Sequence, residues 1–289
     1  MYVVLGANGR AGGEVARALI ERGEAVRVVL RRKEQGEKWT AFGAEVAVAD
    51  IDDADAMADA LKGAQAAFLL NPPPASGDPF ARTEELGAAL ADAVRRARLP
   101  KIVVLSSIGA QHASGTGVIA TLNRFEALLD GAAPATAFLR SGYFVETWGE
   151  VAETVMSESV LPTFLEPSQK IPMVSTIDVG RTVAALLCEE WTGKRVVELS
   201  GPEDWSAGDV ASAFADVLGH PVKSMLVPPE QRAAILAGEG VPHEVARALL
   251  GMFEGIANGL FVRQGDSEQR RGTISLAMAV ERLVTTGGR

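Results

Sequence analysis

The sequence predicts an α/β fold: a doubly wound parallel sheet with a smaller, mainly α C-terminal lobe. Three observations carry that expectation. Short apolar runs alternate with amphipathic stretches through the first half of the chain. The first run, Tyr2-Val3-Val4-Leu5, passes directly into Gly6-Ala7-Asn8-Gly9-Arg10-Ala11-Gly12 and then into a helical pattern. A second apolar run, Val26 to Leu30, closes a unit of about thirty residues, the length of a βαβ repeat.

Taken in order, Val15, Ala16, Leu19 and Ile20 share one face of a helix running from Gly12 to near Arg22, and Gly23 ends it. Glycines at 6, 9 and 12 permit a tight turn, close approach of a ligand and close helix packing. The free N–H groups at that helix start favour a pyrophosphate. After the second strand stands Arg31-Arg32-Lys33, where a carboxylate would instead grip ribose hydroxyls. Guanidinium forks suit a 2′-phosphate, so NADP(H) is the expected cofactor; the competing reading is a solvated strand end.

Lys33 to Phe42 reads as a helix and Glu45 to Asp50 as a third strand, with Asp52 or Asp53 capping the next helix. Asp50 suits either an adenine amino group or that helix entry. A fourth strand, Ala66 to Leu70, is broken by Asn71-Pro72-Pro73-Pro74, a stiff loop that serves as a crevice wall or simply as rigid chain. Pro79 to Arg98 is helical and stopped by Pro100; Lys101 to Leu105 is a fifth strand. Ser106 and Ser107 at its carboxyl end can meet nicotinamide or substrate, or satisfy local backbone. A helix from Val118 to Asp130 leads to a sixth strand, Thr136 to Arg140, beyond which Tyr143, Phe144 and Trp148 pack as core or line an apolar pocket. This alternation argues for a parallel sheet with covered faces.

Past Glu146 a helix reaches Met156, and two proline-marked runs, 161–165 and 170–174, look like excursions above the sheet. Ser175 or Thr176 caps a further helix, and Arg195 to Leu199 returns as a seventh strand. The remainder reads as a cap: a helix from Ser206 to Leu218, an extended piece from Val222 to Val227, helices at 230–237 and 242–258, and a last helix from Ser275 to before Gly287. The expected division is a dinucleotide-binding body, residues 1–150 and 176–200, and a substrate lobe, residues 151–175 and 201–289.

A formal net charge of −9 without any basic block argues against nucleic-acid binding. Cys188 is the only cysteine, so neither an internal disulfide nor a cysteine-rich zinc site can form. The three histidines, at 112, 220 and 243, lack ligand-like clustering, and no metal is expected. No apolar run reaches bilayer length, and the chain starts in a strand rather than a signal segment, so the expected location is the cytoplasm.

Gly-Ala-Asn-Gly-Arg-Ala-Gly at 6–12, Leu-Ser-Ser-Ile-Gly-Ala at 105–110, Asn-Arg-Phe-Glu at 123–126, Leu-Arg-Ser-Gly-Tyr-Phe-Val-Glu at 139–146 and Ile-Asp-Val-Gly at 177–180 together resemble the NmrA-like family. That family is an atypical branch of the short-chain dehydrogenases/reductases, and the resemblance covers nearly the whole chain. It implies a Rossmann domain with a smaller lobe and NADP(H) across the carboxyl edge of the sheet. The family includes reductases of quinones and other small molecules, and redox-sensing regulators. By that resemblance Gly6, Asn8, Gly9, Arg10, Ala11 and Gly12 surround the diphosphate, and Arg31 and Arg32 meet the adenosine phosphate. Asp50 and Ile51 flank the adenine, while Leu70, Asn71 and Pro72 lie near the nicotinamide-side ribose.

Two departures from the pattern stand out. Asn8 replaces a common threonine. The Tyr-x-x-x-Lys pair of the wider superfamily is missing: the only tyrosines are Tyr2 and Tyr143, and no lysine lies between Lys101 and Lys170. Leu122, beside Thr121 and Asn123, stands where the family often keeps a lysine. Hydride transfer survives this loss, because the cofactor supplies the electrons and the protein aligns the acceptor. The leading expectation is an NADPH-dependent oxidoreductase acting on a quinone-like or related electrophilic small molecule. His112 and Tyr143 are its catalytic candidates, with Ser106, Ser107 and Asn123 as polar groups of the cofactor site or pocket. The alternative is a non-catalytic NADP(H)-sensing regulator. The sequence leaves homo-oligomerisation open.

Overall fold

Strands buried on both faces need uninterrupted apolar runs, and the first such runs of the chain are strands. The computed structural model describes residues 1–286. It places β1 at Tyr2–Leu5, β2 at Val26–Leu30, β3 at Glu45–Val48, β4 at Ala66–Leu69, β5 at Lys101–Ser107 and β6 at Ala135–Ser141. Between them run α1 (Arg10–Glu21), α2 (Glu37–Ala41), α3 (Ala54–Leu61), α4 (Pro79–Ala97) and α5 (Ile119–Leu129). Beyond β6 come β7 (Tyr143–Phe144), α6 (Ala152–Glu158), β8 (Val160–Thr163), β9 (Ile171–Val174), α7 (Thr176–Cys188) and β10 (Gly193–Ser200). The chain continues through β11 (Asp204–Trp205), α8 (Ala207–Leu218), β12 (Lys223–Leu226), α9 (Pro229–Gly238), α10 (His243–Ala257), β13 (Glu268–Arg271) and α11 (Leu276–Thr286).

The main sheet has eight parallel strands in the order β13-β10-β6-β5-β4-β1-β2-β3. Strand order reverses between β1 and β4, which opens a crevice at their carboxyl ends. Alternation along each strand feeds two separate cores. Val4, Val28, Phe68 and Val103 meet Val15, Leu19, Val183 and Leu186 of α1 and α7 on one face. Val3, Leu5, Val104 and Phe138 meet Met57, Leu90 and Phe125 of α3, α4 and α5 on the other. A third cluster, with Ile108, Trp148, Met173, Trp205, Phe214, Phe261 and Val280, is built largely from residues after β6.

Local chemistry sets the boundaries. Asp53, rather than Asp52, caps α3, its Oδ1 accepting from the amides of Asp55 and Ala56 at 3.0 Å each. Ser175 accepts from Ile177 N at the start of α7, and Ser206 forms a capping box with Asp209 on α8. Buried Asp178, in the first turn of α7, accepts from Thr273 N and Ile274 N at 3.0 and 2.9 Å and so ties down the segment before α11. No helix among the described residues is long and apolar enough to cross a membrane.

Four expectations need correction. The helix expected over 33–42 is split into a 3-10 turn, Lys33–Gly36, and α2, because Gly36 lies against Val46, where a Cβ would come within 2.7 Å of both methyls. The third strand stops at Val48, although Ala49 N still donates to Leu30 O at 3.0 Å. The helix expected from Glu146 begins as a 3-10 segment, Val145–Val151. An eighth sheet strand, β13, was not expected, since Glu-Gln-Arg-Arg carries no apolar signal. It is held at the sheet edge by its pairing with β10 and by ion pairs from Glu268 to Arg195 at 2.6 Å and from Arg270 to Glu189 at 3.0 Å. The last helix is expected to end before Gly287, and Gly287 itself lies outside the described residues.

Candidate functional site

The glycine turn stands at the strand-order reversal. Gly6 has φ +66°, a conformation L side chains rarely adopt, and a Cβ on it would meet Leu70 Cδ2 at 2.7 Å. The end of β1 thus touches the residue just past β4. Gly9 N donates to Gly6 O at 2.8 Å, and Gly13 N to Gly9 O at 3.0 Å. The amides of Arg10, Ala11 and Gly12 precede the first intrahelical bond, no side chain caps them, and no acidic residue stands in that first turn. Asn8, Gly9 and Arg10 are exposed there. A helix start so left open offers its donors and its positive end to an anion, the requirement for holding a diphosphate.

The other expected cofactor residues also follow carboxyl ends of strands. Arg31 and Arg32 come directly after β2, exposed, their side chains without an ion-pair or hydrogen-bond partner among the described residues. Asp50, exposed, and half-buried Ile51 follow β3; Asp50 Oδ1 accepts from Asp52 N at 3.2 Å. Leu70, Asn71 and Pro72, all half-buried, follow β4, with Asn71 Nδ2 donating to Thr83 Oγ1 at 2.8 Å.

Ser106 and Ser107 lie inside β5 rather than beyond it. Ser106 Oγ donates to Glu126 Oε1 at 2.5 Å, and Ser107 Oγ to Ile108 O at 2.9 Å, so both hydroxyls already have protein acceptors. Asn123 Nδ2 donates to Ala110 O at 2.8 Å and braces the loop after β5. His112 is half-buried in that loop, its Nε2 3.4 Å from Gln111 Nε2, and no carboxylate pairs with it among the described residues. Gln111 Oε1 accepts from Gly109 N at 3.0 Å.

Tyr143 and Trp148 pack with ring centroids 6.0 Å apart and planes tilted by 52°, next to an ion pair between Arg10 and Glu150 at 2.9 Å. That pair joins the glycine turn to the 3-10 segment after β7, and because both side chains are exposed it contributes little stability. Burial above all, then the Glu150 charge, pushes the Tyr143 phenol above its ordinary 10.0, so at neutral pH it remains a proton donor.

Burial and a hydrogen bond with Cys188 likewise push Tyr2 from 10.0 to about 12. Both phenols have raised values in the fold, so the unfolded chain loses its tyrosine protons first. Stability on this account is intact below pH 10.0 and falls as pH rises from there toward about 12. An ultraviolet titration is therefore expected to show no tyrosinate step near pH 10.0 while circular dichroism still reports a folded chain. A two-tyrosine step at that pH in folded protein would contradict the burial of both.

Residues 2–263 match the NmrA-like family. The chain belongs to that family. It is 30% identical over 253 residues to the (4-alkanoyl-5-oxo-2,5-dihydrofuran-3-yl)methyl phosphate reductase of Streptomyces griseus, a match spanning 86% of this chain and 85% of that one. To the NAD(P)H azoreductase of Xenophilus azovorans it is 23% identical, over 86% and 85% of the two chains. The fold is that of the NADPH-dependent quinone oxidoreductase of Escherichia coli solved with NADPH, at a TM-score of 0.82 and 22% identity, covering 98% of this chain and 100% of that one.

In this NmrA-like chain Leu122 is half-buried on α5, with Thr121 and Asn123 beside it. Three features of the site were missed in the sequence: Trp39 against Asn8, Glu150 against Arg10, and Glu126 beneath Ser106. Separations of 31, 140 and 20 residues give no local signal for such pairings.

Proposed function

We propose that this chain is a cytoplasmic NADPH-dependent oxidoreductase that reduces a quinone-like or related electrophilic small molecule. The carrying observation is the uncapped start of α1, set at the strand-order reversal with two unpartnered arginines at the end of the neighbouring strand. Bound there, the dinucleotide would supply hydride from its nicotinamide. Arg10, Ala11 and Gly12 hold the diphosphate with backbone donors, Gly6 and Gly9 shape the turn beneath it, and Arg31 and Arg32 hold the 2′-phosphate. Asp50 and Ile51 flank the adenine, and Leu70, Asn71 and Pro72 form the wall on the nicotinamide side. Residues 151–175 and 201–286, apart from β13 in the main sheet, form the lobe that covers the acceptor and keeps water out.

Tyr143 is the residue we assign to the acceptor oxygen, since its phenol keeps its proton and can donate toward developing negative charge. His112, in the loop after β5, is the second candidate. Reductase names among the relatives support this class of activity. Leu122, with no amine to lower a phenol's pKa, favours a second reading in which the chain only senses NADP(H) occupancy.

Purified protein mixed with NADPH and a panel of quinones, under air and under nitrogen, tests the reading through loss of the reduced-nicotinamide absorbance. Turnover with at least one quinone is expected. Arg31→Ala should weaken NADPH binding about tenfold and leave NADH binding unchanged. Dinucleotide binding without turnover on any acceptor would favour the sensor, and unchanged NADPH affinity in Arg31→Ala would remove the assigned phosphate contact.

A further inference from the structure

We infer that Asn8 is a positioning residue for dinucleotide selectivity, which fixes the arginine-bearing loop after β2 against the glycine turn through Trp39 and Gln35. The inference rests on the proposed NADP(H) site and goes beyond it, since Asn8 would act on the 2′-phosphate without touching it. Both ends of its amide are engaged. Asn8 Oδ1 accepts from Trp39 Nε1 at 2.9 Å, and Asn8 Nδ2 donates to Gln35 O at 3.1 Å. The indole offers only a donor and the carbonyl only an acceptor, so these partners dictate the orientation of the amide.

Each partner is itself held. Trp39 is 1% exposed, with the Arg17 guanidinium 5.9 Å and the Lys38 ammonium 5.1 Å from its ring centroid. Arg17 belongs to α1, so the indole is tied to the helix that the glycine turn begins. Gln35 N donates to Arg32 O at 3.2 Å, which places Asn8 two hydrogen bonds from the backbone of Arg32. On the far side Gly36 lies against Val46 with no space for a Cβ, so the 3-10 turn cannot settle further toward β3.

Arg31 and Arg32 have no side-chain partners of their own among the described residues, so backbone position alone decides where their guanidinium groups are offered. A loop held in advance spares the ordering cost that a free loop would incur on binding. Only a nucleotide carrying the 2′-phosphate gains from this, because NADH presents nothing to those arginines. A bond that merely stabilised the fold would weaken both nucleotides alike.

Titration of the full chain with NADPH and with NADH separates these cases. Asn8→Ala is expected to lower NADPH affinity about five- to tenfold and NADH affinity less than about twofold. Trp39→Phe keeps a ring between Arg17 and Lys38 and removes the N–H donor, so it should shift the ratio in the same direction. The double variant should fall no further than Asn8→Ala alone. Equal losses for both nucleotides, or an unchanged ratio, overturn the inference. Wild-type protein that binds neither dinucleotide, or prefers NADH, overturns the NADPH reading itself and this inference with it.

Discussion

Gly12→Ala is expected to abolish dinucleotide binding and to lower the thermal unfolding midpoint by roughly 6–12 °C, corresponding to about 3 kcal/mol. A methyl at this position would lie 2.6 Å from Leu5 O and 2.5 Å from the carbonyl carbon of Gly6, and closer still to the Gly6 oxygen. All three atoms are backbone, so no rotamer change relieves the overlap, and α1 must move off the end of β1. That shift takes the open amides away from the position a diphosphate would occupy. Gly9→Ala is the contrasting variant. Its Cβ would come only to 3.3 Å of Gly6 O, and its φ of −92° with ψ of 175° is extended backbone open to any residue. Stability should hold near wild type, while a methyl among the exposed donors weakens NADPH about tenfold or more. Melting curves with and without NADPH measure both effects. Gly12→Ala that melts with wild type and still binds NADPH would show that the close helix–strand contact is not needed.

Those two glycines also mark what the sequence makes legible. β1, α1 and β2 were readable because apolar runs, a glycine turn and a helical stripe are local signals, and their bounds agree with the structure to within two residues. β13 was hidden because an edge strand can be held by ion pairs and backbone pairing rather than by apolar burial. The break at Gly36 was hidden because its cause, Val46, belongs to the next strand. In the site, sequence identified which residues follow the carboxyl ends of strands, since parallel topology places all such residues on one edge. It could not say which side chains were already engaged. Asn8 reads as a cofactor donor until Trp39 and Gln35 are seen beside it, and Ser106 reads as an active-site hydroxyl until Glu126 is found beneath it.

Glu126→Ala should destabilise the chain by about 3–5 kcal/mol, the cost of leaving a buried charge without its partner. Arg140 Nε donates to Glu126 Oε1 at 2.9 Å and its terminal nitrogen to Oε2 at 2.7 Å, a two-pronged pair whose side chains are 12% and 8% exposed. Burial disfavours the guanidinium charge, but the hydrogen bonds and attraction from Glu126 more than offset it, so Arg140 stays charged. Register lines Ser106, Arg140 and Glu198 across β5, β6 and β10, with Gln269 of β13 at the end of the row. Glu198 Oε2 accepts from Gln264 N at 2.7 Å and Gln269 Nε2 at 2.9 Å, which extends this polar row to the loop before β13. Removing Glu126 strands Arg140 and deprives Ser106 of its acceptor in one step. Urea unfolding measures the loss, and Glu126→Leu combined with Arg140→Met should recover part of it, because the stranded Arg140 charge is gone while the Ser106 hydroxyl still lacks its acceptor and buried Glu198 loses the attraction of Arg140. A single-variant loss under about 1 kcal/mol would mean that water reaches Arg140 and that the pair is no more than a surface contact. NADPH affinity should remain near wild type in the folded double variant, because the row runs across β5, β6, β10 and β13 and none of its members touches the glycine turn.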